Sequence, residues 1–254
     1  MLNLKIECLH IEQLELRNPN ILITFFESVN NAALFLLEYK KDNLAMVALN
    51  AEKVIYLQKH PHAYGNIKNV VFYPDGAPIC WLNAKSKPRI PGVELWLELL
   101  KVANKRNHKV AVIGASPFVL ASAEEILTSR FENLNFKFMH GYNNEADYQQ
   151  FICEFKPDFV FISMGSPKQE KLIAILQENL STTVFMGIGG SLDILSGREK
   201  RAPRIFRENG LEFLYRLVKN PKRIKRQVVY ILFLYQYIIG HFRPVGQSNR
   251  AGRK

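Results

Sequence analysis

The 254-residue sequence has three cysteines, Cys8, Cys80 and Cys153, and no CxxC pair. An odd number at long spacings argues against a disulfide framework and a structural zinc site, and fits a reducing compartment. Long apolar runs are also missing. The longest covers residues 228–239 and is broken by Gln236, whereas a membrane-spanning helix needs about 20 residues. The first stretch, MLNLKIECLHIEQLELRN, lacks the basic start and apolar core of a signal peptide. Neither secretion nor a membrane span is expected. Three signatures are absent as well: a GxGxxG dinucleotide turn, an HExxH zinc pair and a DxD metal motif. A nicotinamide oxidoreductase is therefore a poor reading, and neither a bound metal nor another cofactor is expected.

Acidic residues are scarce in one region only. Residues 198–254 hold 15 Lys or Arg and 3 Asp or Glu, a net +12, while residues 1–197 hold 19 and 20, a net −1. Composition is otherwise ordinary, with 48% apolar and 22% charged residues, which excludes wholesale disorder. A near-neutral body with a basic tail requires an anionic partner: a phosphate-bearing ligand, an anionic membrane or nucleic acid.

The body alternates strands and helices. Apolar β-type runs occur at 44–49, 69–73, 109–113, 158–163 and 182–188, with helix-period segments near 51–60, 93–106, 117–131, 145–155 and 167–178. Continuous Val/Ile/Phe runs indicate strands covered on both faces, and the alternation indicates right-handed βαβ units in a mostly parallel α/β sheet. Beyond Gly197, short helices are expected near 203–208 and 211–219 and a longer one over 221–239. This divides the chain into a core, 1–197, and a basic helical appendage, 198–254.

Ligands of open parallel sheets sit in the turns after the strands. Those turns hold Asn50-Ala51-Glu52-Lys53, Asp75-Gly76, Gly114-Ala115-Ser116-Pro117, the segment from Met164 to Glu170, and Gly189-Gly190-Ser191-Leu192-Asp193. Asp75-Gly76 is either a plain turn dipeptide or a catalytic carboxylate on the rim. Gly114 opens a turn that could meet a phosphate at a helix start. Gly187-Ile188-Gly189-Gly190 could equally serve close backbone packing. Ser166 reads as a helix N-cap, Pro167 as the first helical residue and Gln169 as a capping-box partner, which leaves the density of functional groups in that turn unexplained. His60 and His62 flank Pro61 and read as ordinary surface or core residues. In the tail, Arg216, Arg223 and Arg226 could fork onto a diphosphate. Alternatively, the basic run 219–226 before VVYILFLYQYII could lie on an anionic membrane, or form a solvated face.

The segments NAEK (50–53), DG (75–76), RIPGVELW (89–96), MGSPKQE (164–170), GIGGSLDILSG (187–197), KRAPRIFRENGLEFLYRL (200–217) and NPKRIKRQ (220–227) together resemble the WecG/TagA/CpsF bacterial glycosyltransferases. The match runs in order over about 44–239 and looks closest to the WecG branch. The resemblance implies a Rossmann-like core whose C-terminal appendage completes the site at the cytoplasmic face of the bacterial inner membrane. It implies inverting, metal-independent transfer of N-acetylmannosaminuronic acid from UDP to undecaprenyl-diphosphate-linked N-acetylglucosamine, in enterobacterial common antigen-type synthesis. The TagA branch instead transfers N-acetylmannosamine for teichoic acid. Carried over by motif, Asp75 is the general base, with Gln169 beside it in the catalytic set. Asn50, Arg89, Gly114, Ser166, Lys168, Gly189 and Asp193 would bind substrate. Arg216, Arg223 and Arg226 would cover the UDP diphosphate, and Lys168 or Arg89 would meet a donor carboxylate. Some relatives carry Thr two residues before the motif Asn, where this chain has Ala48. The implied partners are a UDP-sugar, a polyprenyl-diphosphate-linked acceptor and an anionic membrane surface, with no nucleic acid. The rival of another class, an anionic-lipid or nucleic-acid binding module, leaves the rim motifs without a role.

Overall fold

A computed structural model describes residues 11–38, 43–83, 87–208, 215, 217–218 and 224–242. The elements run β1 Glu12–Arg17, β2 Asn20–Phe25, α1 Val29–Glu38, β3 Ala45–Leu49, α2 Ala51–Lys59, β4 Val70–Pro74, α3 Ala77–Cys80, α4 Gly92–Asn104, β5 Lys109–Gly114 and α5 Pro117–Arg130. They continue with β6 Asn135–Met139, α6 Glu145–Phe155, β7 Phe159–Ser163, α7 Lys168–Leu176, β8 Val184–Gly187, α8 Ser191–Leu195, α9 Arg204–Glu208 and α10 Ile224–Ile238. The strands form one sheet in the order β1-β2-β4-β3-β8-β7-β5-β6. Every pair is parallel except the β1–β2 hairpin.

The expected α/β architecture with helices on both faces is what the chain adopts. Its cause is visible in the strands, whose successive residues feed opposite cores. Ala111 and Ile113 of β5, Val160 and Ile162 of β7 and Phe185 of β8 join one cluster with α2, α6 and α7. Val110, Val112, Phe159, Phe161, Val184 and Met186 join the other with α1, α4, α5 and α8. Both faces of these three strands are dry, so they read as continuous apolar runs.

Two splits in this winding make room for a ligand. From β5 the chain crosses to β6 through α5 on one face, while from the adjacent β7 it crosses to β8 through α7 on the other. The neighbours β3 and β8 likewise send α2 and α8 to opposite faces. Turns that diverge in this way leave a crevice at the carboxyl ends of the strands.

The basic C-terminal region is described in part. Arg216 and Arg223 lie outside the described residues, as do 209–214 and 219–222. Arg226 falls in the first turn of α10, and its side chain is outside what is described. Helix α10 packs on α2 and buries Phe233 completely beside Phe242 in the α2-side core. Among the described residues, no helix is long and apolar enough to cross a membrane.

Candidate active site

The five turns singled out from the sequence meet around one cavity of about 850 Å³ at the carboxyl ends of the strands. Asn50, Asp75, Arg89, Ser166, Lys168, Gln169, Gly189 and Asp193 all line it. Gly114 does not; the wall there is made by Ala115, Ser116 and Gly141. Gly114 has φ +118°, and a Cβ on it would sit 2.4 Å from the Ser163 carbonyl oxygen. Its place in the fold is therefore a close approach of the end of β5 to the end of its neighbour β7, one residue behind the cavity.

Asn50 caps α2, its Oδ1 accepting from the Lys53 backbone N–H at 2.9 Å. Asp75 and Gly76 both donate their N–H to the Leu49 carbonyl at 3.0 Å. This turn presses against Asn50 so closely that a Cβ on Gly76 would lie 3.0 Å from the Asn50 Cβ. The Asp75 carboxylate is anchored from the far side, its Oδ1 accepting from the Gly92 N–H at 2.8 Å at the start of α4. Two elements thus aim the carboxylate at the cavity: a strand end supplies its backbone and a helix N-terminus supplies a donor.

The turn after β7 departs from its capping reading. The N-cap of α7 is Pro167, and no side chain caps it. The Ser166 hydroxyl instead meets the Tyr64 hydroxyl at 3.1 Å. Gln169 reaches backwards into the protein and is 4% exposed. Its Nε2 donates to Glu170 Oε1 at 3.0 Å, and its Oε1 accepts from the Gly189 N–H at 3.0 Å. Only a glycine at 187 permits this, since a Cβ there would lie 2.2 Å from Gln169 Nε2.

Several further residues at the rim were not among the candidates read from the sequence. Lys53 Nζ and Glu170 Oε1 are 2.7 Å apart, and the Glu170 residue is 1% exposed. Burial alone would raise the Glu170 carboxyl. The Lys53 ammonium, with hydrogen bonds from Lys53 and Gln169, instead holds it below the usual glutamate value. A lowered folded value contributes stability that is complete above the usual glutamate range. It is lost as pH falls through the lowered value. Glu170→Gln should therefore flatten the acid limb of a Tm-against-pH curve between those two values; an unaltered limb would remove the pair from that role. Tyr56 and Tyr230 add aromatic walls, with burial pushing the Tyr230 hydroxyl up to about 12. Arg198 and Arg201 also line the cavity. Arg201 pairs with Glu94, and Arg198 lies 3.9 Å from Asp193. The signal available for Lys53 and Glu170 was a charge inside an otherwise apolar helical stripe, between Ala51 and Val54 in one helix and beside Leu172 and Ile173 in the other.

The geometry provides a carboxylate held at the rim, cations around it and a floor of backbone turns. Such a site can take a proton from an attacking hydroxyl and stabilise an anionic leaving group. Comparison with known proteins agrees. The family model described as "Glycosyl transferase WecG/TagA/CpsF family" matches residues 20–245. Relatives from Staphylococcus aureus strains MW2 and NCTC 8325 are each 37% identical over 221 residues, covering 84% of this chain and 87% of theirs. A third, from strain MRSA252, is 36% identical over the same span. All three are named N-acetylglucosaminyldiphosphoundecaprenol N-acetyl-beta-D-mannosaminyltransferase. The chain is a glycosyltransferase and belongs to the WecG/TagA/CpsF family.

Proposed function

We propose that this enzyme transfers an N-acetylmannosamine unit from UDP to N-acetylglucosamine carried on a polyprenyl diphosphate. The observation that carries the reading is the meeting of Asn50, Asp75, Arg89, Gln169 and Gly189 around one cavity, together with the names of the relatives. Asp75 takes the proton of the acceptor hydroxyl as its oxygen attacks the anomeric carbon. The bond from that carbon to the UDP oxygen breaks on the opposite face, so configuration inverts. Negative charge grows on the departing diphosphate and meets Lys168, Arg89 and Arg198 at the rim and Arg216, Arg223 and Arg226 of the appendage. Asn50, Ser166 and Asp193 bind the sugars. The reaction uses no metal. Because the acceptor lipid stays in the bilayer, residues 198–254 bring the enzyme to the cytoplasmic face of the membrane and complete the site there.

A second donor, N-acetylmannosaminuronic acid, is favoured by one feature: the exposed Lys168 and half-buried Arg89 stand on the rim where a sugar carboxylate could pair with them. A panel of UDP-sugars with a short-chain prenyl-diphosphate N-acetylglucosamine acceptor, followed by mass in the presence of a chelator, separates the readings. The expected product gains one N-acetylhexosamine unit. A gain of one N-acetylhexosaminuronate selects the second donor, product lost on chelation removes the metal-free mechanism, and no product from any UDP-sugar overturns the assignment.

A further inference from the structure

Three of the rim turns are joined beneath the cavity by one buried polar chain. Lys53 stands in the first turn of α2, three residues after Asn50, and donates from Nζ to Glu170 Oε1 at 2.7 Å. The same Glu170 oxygen accepts from Gln169 Nε2. This fixes which end of the Gln169 amide is nitrogen, so its Oε1 points to the Gly189 N–H. The other side of Gly189 is held as well, its carbonyl accepting from the Ser163 hydroxyl at the end of β7. Gly189 has φ +53°, a conformation that rests on these two side chains. The turns after β3, β7 and β8 are thereby fixed to one another.

A buried ion pair is a poor source of stability. The desolvation of two charges offsets most of their attraction, and an apolar replacement of both is often neutral. This pair does something an apolar pair could not: it dictates the orientation of a neighbouring amide. We propose that Lys53 and Glu170 are positioning residues, which orient Gln169 and through it hold the Gly187–Ser191 turn in the geometry that receives the donor sugar-diphosphate. The functional half rests on the reading of the cavity as a UDP-sugar site; the structural half does not.

The pair can be removed together or singly. Lys53→Met and Glu170→Met each leave one buried charge alone and should lower Tm by about 10 °C. The double variant leaves none and should recover most of that loss. Orientation is not recovered, because Gln169 Nε2 has lost its acceptor. In the double variant, hydrogen–deuterium exchange should rise at least ~10-fold at the amides of 188–190. The Val184–Met186 strand should stay protected. The donor kcat/KM should fall roughly 10–100-fold at near-wild-type Tm. Wild-type exchange in the turn overturns the proposal. Should the double variant fail to fold, Gln169→Met severs the same links without touching a charge, and unchanged turn exchange in that variant overturns the proposal equally. Exchange is read without substrate. An enzyme that transfers no sugar but shows the loosened turn therefore refutes the donor assignment and leaves the positioning role standing.

Discussion

Asp75→Asn should lower kcat by roughly 10²–10⁴-fold and leave the donor KM within a few-fold. The asparagine oxygen can still accept from the Gly92 N–H that holds Asp75 Oδ1 at 2.8 Å, so the side chain stays aimed while its capacity to take a proton is removed. A loss of that size corresponds to about 3–5 kcal/mol of transition-state stabilisation. It is within reach of one positioned base, and too large for one hydrogen bond to a substrate hydroxyl. The split between kcat and KM matters because Asp75 stands among binding residues. If it held only a sugar hydroxyl, the substitution would raise KM instead. Steady-state kinetics with the short-chain acceptor decide it: turnover near that of the wild type would take the base role away from Asp75.

The sheet and its rim were legible in the sequence, and the reason is local. Strands β3, β4, β5, β7 and β8 pack against a core on each face, so each stands out as an apolar run bounded by polar turns. Strands β1, β2 and β6 were not readable in that way. The β6 run Asn135–Met139 alternates exposed and half-buried residues at a sheet edge, and β1–β2 is a hairpin closed at Asn18-Pro19. β1 and β6 are the two edge strands, each with a single neighbour, and β2 joins the rest of the sheet only through β4. The motif turns could be placed because each follows a readable strand. Their internal wiring could not. Ser166-Pro167-Lys168-Gln169 has the spacing of a helix cap, yet other contacts claim Ser166 and Gln169: distant Tyr64 takes Ser166, while distant Gly189 and the adjacent Glu170 take Gln169. The Lys53–Glu170 pair joins residues 117 apart in sequence, a separation that no local pattern encodes.

The tail shows the same division between composition and placement. The net +12 of residues 198–254 marks an anion-seeking region. The charge alone does not say how α10 is used, but its packing does bear on that. One side of the helix is committed inward through Phe233, with Val229 and Tyr230 partly buried against the same core. The opposite side presents Val228, Ile231, Tyr235 and Ile238, each at least 60% exposed. Spacings of three, four and three residues place these four on one face of a helix. On a different face, the Tyr237 hydroxyl donates to the carbonyl of the exposed Trp81 at 3.2 Å. An apolar stripe with a tyrosine in it, behind a basic run, is the surface that the proposed docking to an anionic bilayer requires.

Truncation is a poor test of that docking, because it would strip Phe233 and Phe242 from the core, at about 1.5–3 kcal/mol for each buried side chain. Ile231→Glu/Ile238→Glu is cleaner. Both side chains are mostly solvent-exposed, at 64% and 79%, so Tm should stay within a few degrees of the wild type. On a membrane, the two isoleucines would each contribute about 1.5 kcal/mol or more of apolar burial, and the new carboxylates would meet anionic headgroups. Partition onto vesicles containing anionic lipid should therefore fall at least ~10²-fold. Transfer to a long-chain acceptor embedded in those vesicles should fall with it. Transfer to a short-chain acceptor in solution should not, since neither isoleucine lines the cavity. Sedimentation with vesicles that is undiminished in the double variant would rule out this face as the docking surface, whatever the activity in solution.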